Sequence, residues 1–179
     1  GGITKNTTAK ITIQHGLIYD KLLRRFGIGR AGQYLCAQKA ALQKYRELCS
    51  GMDCDFEEKD AYVYALEEQR KLEQELSAME RLGFHGDFVE HLPLPFPVAG
   101  AVRVHNQAQF HPLKFVCCLA KGLHIYEHTP VRELIGTTAV TDSGKVAAKA
   151  VIICRGVTSK RWPKEATARS TLVIFSRLQ

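Results

Sequence analysis

The chain alternates between stretches of different apolar period. Residues 1–15 carry no helical stripe; Thr4, Thr7, Thr8, Lys5 and Lys10 crowd into a polar run that opens on glycine. From Leu17 to Cys49 the period becomes helical. Leu22 and Phe26 stand four apart, Gly27 and Gly29 interrupt, and Tyr34, Leu35, Ala41, Leu42, Tyr45, Leu48 and Cys49 then share one face. Two helices are predicted, the second closed by Gly51. Over Phe56–Leu66 strand formers take over, with Glu57–Asp60 read as a charged turn among them. A further helix is predicted over Glu67–Leu82, with Leu72, Leu76 and Met79 as its apolar stripe, Glu67 and Lys71 as an i,i+4 ion pair and Gly83 as its stop.

Pro93, Pro95 and Pro97 force an extended segment that cannot lie in a central strand. A strand is predicted over Ala99–Val104. Pro112 then stands where the first turn of a helix belongs, followed by Leu113, Val116, Cys117 and Ala120 at helical spacing and by Gly122. Strands follow at Ile125-Tyr126, Val131–Ile135, Ala139–Thr141 and Lys145–Ala148, with Asp142-Ser143-Gly144 as a hairpin turn. Val151-Ile152-Ile153-Cys154 is a continuous apolar run of the kind a parallel strand covered on both faces shows. Beyond Cys154 periodicity is absent until Leu172-Val173-Ile174-Phe175.

Composition narrows the class. At 179 residues, 45% hydrophobic and 24% charged, the chain suits one globular domain, or one and a fraction, with a real core, and disorder or a fibrous repeat is excluded. No run of about 18 apolar residues occurs, so no spanning helix is predicted. The net charge of +7 invites a nucleic-acid reading, but six basic residues against Glu165 alone place +5 of it in residues 155–179. That tail has little aromatic interleaving beyond Trp162 and Phe175, so nucleic acid is not the expected partner. The six cysteines (Cys36, Cys49, Cys54, Cys117, Cys118, Cys154) form no C-x-x-C pair and read as reduced, mostly buried thiols of a cytoplasmic protein. The chain opens on Gly1-Gly2 without an initiator Met or signal-peptide pattern, so a processed N-terminus or a piece of a longer protein is expected.

Candidate chemistry is sparse. The Thr-rich run offers hydroxyls, backbone N–H groups and positive charge, the groups that hold a phosphate, but taken by itself it reads first as a solvated loop. His124 and His128 are four apart, yet they flank a strand-like dipeptide and precede Pro130, which argues against a metal pair on one helix. His111 either caps the helix that begins at Pro112 or faces a ligand, and His15 is a minor candidate for an anion contact. No cysteine or histidine spacing supplies an iron–sulfur cluster.

Read as an ordered series, several segments resemble a known family. Gly1-Gly2-Ile3-Thr4-Lys5-Asn6-Thr7-Thr8-Ala9-Lys10-Ile11-Thr12 resembles the segment after the second strand of FAD-dependent oxidoreductases of the D-amino-acid oxidase, glycine oxidase-like type. His15-Gly16-Leu17-Ile18-Tyr19-Asp20-Lys21-Leu22 is similar to the helices beyond it, and Gln107-Ala108-Gln109-Phe110-His111-Pro112 to the lead into the helix before the third flavin-domain strand. Ile125-Tyr126-Glu127-His128-Thr129-Pro130-Val131 resembles that strand and its exit. The Asp142-Ser143-Gly144 hairpin with Ala150–Cys154 resembles the β-meander and return strand.

The resemblance implies an α/β fold: a partial Rossmann-like FAD-binding domain interleaved with part of an α+β substrate domain. Residues 17–104 would be the largely helical substrate-domain insertion and 105–154 the return to the flavin domain, with 155–179 an atypical basic tail. It implies FAD as cofactor, and Gly2, Thr4, Thr7, Thr8, Ala9, Lys10, Val131 and Cys154 as cofactor-binding residues, Val131 through its backbone. The Cys154-Arg155-Gly156 turn departs from the family's Ala-Thr-Gly-like turn. The activity implied is hydride transfer from an amine or amino-acid-like small molecule to flavin, with no membrane or nucleic-acid partner. A strand–GxGxxG–helix unit is absent from the chain. With the loss of pattern at Arg155, this leads to the expectation of a truncated or frame-disrupted fragment that binds FAD poorly. The alternative is a non-catalytic helical module that offers the faces of 17–49 and 67–82 to a partner helix.

Overall fold

The computed structural model describes residues 4–152, which fall into two compact units divided after Gly122. Gly2, Cys154, the second half of the Val151–Cys154 run and the basic tail lie outside the described residues. The first unit begins with a 3-10 turn, Thr4–Asn6, and holds strand β1 (Lys10–Ile11), helix α1 (Tyr19–Cys49), strand β2 (Glu57–Ala65), helix α2 (Gln69–Arg81), strands β3 (Asp87–Val89) and β4 (Gly100–Gln109), and helix α3 (Pro112–Ala120). The second holds a meander of β5 (Val131–Ile135), β6 (Thr138–Thr141) and β7 (Gly144–Ala147). No helix among the described residues is long and apolar enough to cross a membrane.

In the first unit β4 is the shared strand. β2 pairs antiparallel along one of its edges, and β1 and β3 pair with opposite ends of the other. One face of this sheet receives the helices. Val102 and Val104 of β4 pack there with Leu23, Leu35 and Leu42 of α1 and with Leu72 and Met79 of α2. Tyr19, Leu72 and Met79 are fully buried, each contributing about 1.5–3 kcal/mol through burial of apolar surface. The stripe read from the sequence thus places α2 correctly, and Gly83 takes the left-handed conformation just past its end (φ 66°).

α1 is two helical segments broken at Gly27, whose φ of 74° and ψ of 172° no helix contains. The expected interruption therefore sits at one residue, and Gly29 does not repeat it. The start of α1 was not legible in the sequence. Ile18 precedes it and has no capping side chain. In its place the carboxylate of Glu75, on α2, accepts the backbone N–H groups of Ile18 and Tyr19 on Oε1 and of Asp20 on Oε2, each at 2.9 Å. These are the donors a helix N-terminus leaves without partners. Glu75 is fully buried. Burial raises its carboxyl above the ordinary carboxylate range, and the three N–H donors reverse that only in part.

Several expectations are corrected. Glu57–Asp60 is not a turn. It is the first half of β2, with Glu57, Glu58 and Lys59 in the ladder to β4 and Asp60 at a bulge, and its charges stay in solvent, where Glu57 pairs with Lys59 (3.0 Å) and Glu58 with Arg46 (2.8 Å). Lys71 pairs with Glu68 (2.7 Å), the residue just before α2, in place of Glu67. β4 runs on to Gln109, past the expected end at Val104. In α3 the buried residue is Phe115, while Val116 and Cys117 of the expected stripe are exposed. Ile125 and Tyr126 form no strand and are exposed. Of the cysteines, Cys49 and Cys54 are buried, Cys36 and Cys117 exposed and Cys118 intermediate, so the thiols are not mostly buried. All strand pairs in the two described sheets are antiparallel, and Ile152 forms only an isolated bridge. The Asp142-Ser143 turn joins β6 to β7 as expected.

The buried cap gives a direct test. Glu75→Ala leaves three backbone donors without an acceptor and is expected to lower the unfolding free energy by about 2–4 kcal/mol in urea titration. Glu75→Gln, which keeps one acceptor oxygen, should lose less. The raised carboxyl also has a sign: its folded pKa exceeds its unfolded value, so the stability difference between wild type and Glu75→Gln should shift against wild type as pH rises through the acid range.

Candidate functional site

The Thr-rich run is largely exposed, with Lys5, Asn6, Thr7, Thr8 and Lys10 open to solvent. It closes one side of a cavity of about 500 Å³ in the first unit, within the range of small-molecule and cofactor sites. Thr4, Thr7, Thr8, Ala9 and Lys10, five of the eight residues expected to hold a cofactor, line it together. Val131 lies in the second unit as the first residue of β5, paired with Thr141. Gly2 and Cys154 are outside the described residues.

Local geometry explains how the run is held. The Thr7 hydroxyl donates to the Thr4 carbonyl (3.3 Å) and accepts from the Ala9 N–H (3.4 Å). Ala9 has φ 58°, in the left-handed region that an L-residue enters at a cost. That turn lets the Ala9 carbonyl accept the Phe110 N–H (3.1 Å), and β1 then pairs with the end of β4. Further on, the Ile13 N–H donates to the Gln107 side-chain oxygen (2.8 Å) and the Tyr19 hydroxyl to the Ile13 carbonyl. The loop is thus tied at one end to β4 and at the other to the start of α1.

The opposite wall is apolar. Tyr45 of α1, Phe110 and Phe115 form a ring cluster with centroids 5.3–5.7 Å apart, and Leu42 and Val116 extend it. Val116 is exposed because it faces this cavity. These wall residues were missed at the sequence level: Tyr45 was read as one more apolar position on a helix face, and Phe115 lay off the predicted stripe. At the rim, His15 Nε2 donates to the Gln38 side-chain oxygen (3.2 Å). His111 is the cap of α3, its Nδ1 accepting the Lys114 N–H (3.3 Å). Behind the rings lie Cys49 and Cys54; burial pushes the Cys49 thiol up to about 12, so it remains an unreactive thiol at neutral pH.

The cavity therefore joins two chemistries. Its polar side carries the hydroxyls of Thr4, Thr7 and Thr8 and the ammonium of Lys10, which enters no ion pair among the described residues. Such a set suits anionic oxygens. Its other side is aromatic and aliphatic and suits a flat ring. Among the described residues no three His, Cys, Asp or Glu side chains gather as a metal site, and no helix brings His124 and His128 to one face.

Comparison with known proteins bears on this arrangement. A model of FAD dependent oxidoreductases matches residues 2–178, continuing through the basic segment beyond Cys154. The Bacillus subtilis protein named "Putative Rieske 2Fe-2S iron-sulfur protein YhfW" is 38% identical over 137 residues, which cover 72% of this chain and 27% of that protein. The crystal structure of glycine oxidase from Geobacillus kaustophilus superposes with a TM-score of 0.60 at 21% identity, over 84% of this chain and 44% of that one. The chain thus spans about a quarter of the curated relative. The structural likeness shows the fold alone, a partial Rossmann-like type with mixed helices and sheets.

The left-handed residue at the cavity gives a prediction. Ala9→Gly relieves its backbone and is expected to raise stability by up to about 1 kcal/mol, while Ala9→Val should lower it by roughly as much or more. Thermal unfolding of both variants beside wild type checks the pair.

Proposed function

The chain belongs to the FAD dependent oxidoreductase family, and from that membership we propose that its cavity is part of an FAD site serving hydride transfer from an amine or amino-acid-like small molecule. The observation that carries this reading is the convergence of Thr4, Thr7, Thr8, Ala9 and Lys10 on one cavity with an aromatic far wall. The donor set fits the group. Threonine hydroxyls and the Lys10 ammonium match phosphate oxygens, and Tyr45, Phe110 and Phe115 match a ring system. Bound flavin would supply the two-electron acceptor. The chain's own residues bind and orient: the Thr-rich side fixes the charged portion, and the rings exclude water from the flat portion. Val131, Gly2 and Cys154 belong to the same proposal as further cofactor contacts.

The interaction-module reading finds less support. The apolar faces of α1 and α2 that would meet a partner helix are occupied by the core, with Leu23, Ala31, Leu35, Leu42, Leu72 and Met79 all buried. A cytoplasmic setting accords with thiols that are all unpaired among the described residues.

Fluorescence titration of the purified chain with FAD tests the site. Weak but saturable quenching, in the high-micromolar to millimolar range, is expected, since the chain holds no GxGxxG unit. Lys10→Ala, and Thr7→Val with Thr8→Val, should each weaken it by roughly tenfold, the loss of one charge-assisted contact. Equal binding by wild type and variants overturns the placement of the site. No saturable binding by wild type at millimolar FAD overturns the reading itself.

A further inference from the structure

The face of the first unit's sheet that is turned away from the helices carries a chain of alternating charges. His105 on β4 stands between two carboxylates from neighbouring strands: its Nδ1 is 3.0 Å from Asp60 Oδ2 on β2, and its Nε2 is 2.7 Å from Asp87 Oδ2 on β3. Arg103, two residues earlier on β4, donates to the same Asp87 oxygen from Nη2 (2.7 Å) and Nε (3.1 Å). The order across the three strands is minus, plus, minus, plus. It depends on a bulge. Asn106 takes φ 55°, and the β2–β4 register shifts between Lys59 and Ala61, which leaves Asp60 beside His105.

The protonation state follows from the partners. An ionised carboxylate only accepts, so both ring nitrogens must carry protons to hold both contacts. A neutral imidazole has one N–H, and its other nitrogen would set a lone pair against a carboxylate. β3 is otherwise held by its short ladder to β4, by the Arg103–Asp87 pair and by Phe88 against the core. It is three residues long, lies at a sheet edge, and leads into residues 90–99, which hold Pro93, Pro95 and Pro97 and contribute no strand before β4. At the far end of that segment the ring of Phe96 rests 5.8 Å from that of Tyr64 on the same open face.

We propose that His105 is a proton-operated clamp: as an imidazolium it ties Asp60 on β2 to Asp87 on β3, and loss of one ring proton removes one of these two ties and loosens β3 and the 90–99 segment. The groups that face the ring are Asp60 from β2, Asp87 from β3 and Arg103 from β4, with Tyr62 beside Arg103. The two carboxylates outweigh the arginine and hold the imidazole above its ordinary range, Asp87 contributing most. The sign follows. The folded value exceeds the unfolded one, so the clamp is complete below the ordinary histidine range and is lost as pH rises through the folded value.

Hydrogen exchange of the full chain between pH 5.5 and 8.5, corrected for intrinsic rates, reads the clamp directly. Protection of residues 87–99 relative to the α2 core is expected to fall by roughly two- to fivefold as pH rises, the span of an exposed charge pair. His105→Gln should remove the pH dependence, which also separates any titration of His85 and His91. Asp60→Asn should keep the transition and move its midpoint to lower pH. NMR titration of the His105 ring should place its midpoint above that of a model histidine peptide. A midpoint at or below the peptide value, or the same pH profile in His105→Gln as in wild type, overturns the proposal.

Discussion

One buried carboxylate holds the first unit in register. Glu75 takes the place of the local cap that Ile18 cannot provide, and in doing so joins the start of α1 to the middle of α2. A lone carboxylate in an apolar core is strongly unfavourable, and three backbone N–H groups at a helix N-terminus are among the few partners that offset it. The arrangement is mutual, since the helix start would be equally unsatisfied without the acid. Tyr19, the residue capped, is also the one whose hydroxyl reaches the Ile13 carbonyl and whose ring meets Tyr34 and Phe84 edge-on. Through Ile13 and Gln107 the constraint passes to β4 and to the loop that lines the cavity.

What the sequence disclosed, it disclosed where the cause is local. Pro112 preceded by a capping side chain, the Asp142-Ser143 turn, the helix break at Gly27 and the stop at Gly83 each depend on residues within a few positions. The failures have distant causes. Glu57–Asp60 looked like a turn because four charged residues disfavour a strand, yet β4 supplies the ladder and solvent keeps the charges. Glu75 looked like another charge on an amphipathic helix, because its partners lie more than fifty residues earlier. Val116 and Cys117 have helical spacing, but Phe115 is the residue that the rings of Tyr45 and Phe110 receive.

The candidate site divides in the same way. Its polar side was legible as a crowd of hydroxyls and lysines, since five residues in one short run reach one cavity by local chain geometry alone. Its aromatic side comes from α1 and from both sides of the β4–α3 junction, brought together only by the fold. No periodicity links Tyr45 to Phe110 or Phe115. The match to FAD dependent oxidoreductases accords with the FAD site proposed for this cavity.

The bulge at Asn106 has a consequence for how much variation β4 can accept. Before it, Arg103 pairs with Tyr62; after it, Gln107 pairs with Lys59, so β4 carries one residue more than β2 midway along the ladder. With that extra residue a single strand gives Val102, Val104 and Ala108 to the core and the Gln107 side chain to Ile13. An insertion or deletion anywhere in β4 would undo it for half the strand. The connecting segments can change length without that cost, and β4 is the measure against which the rest of the unit is aligned.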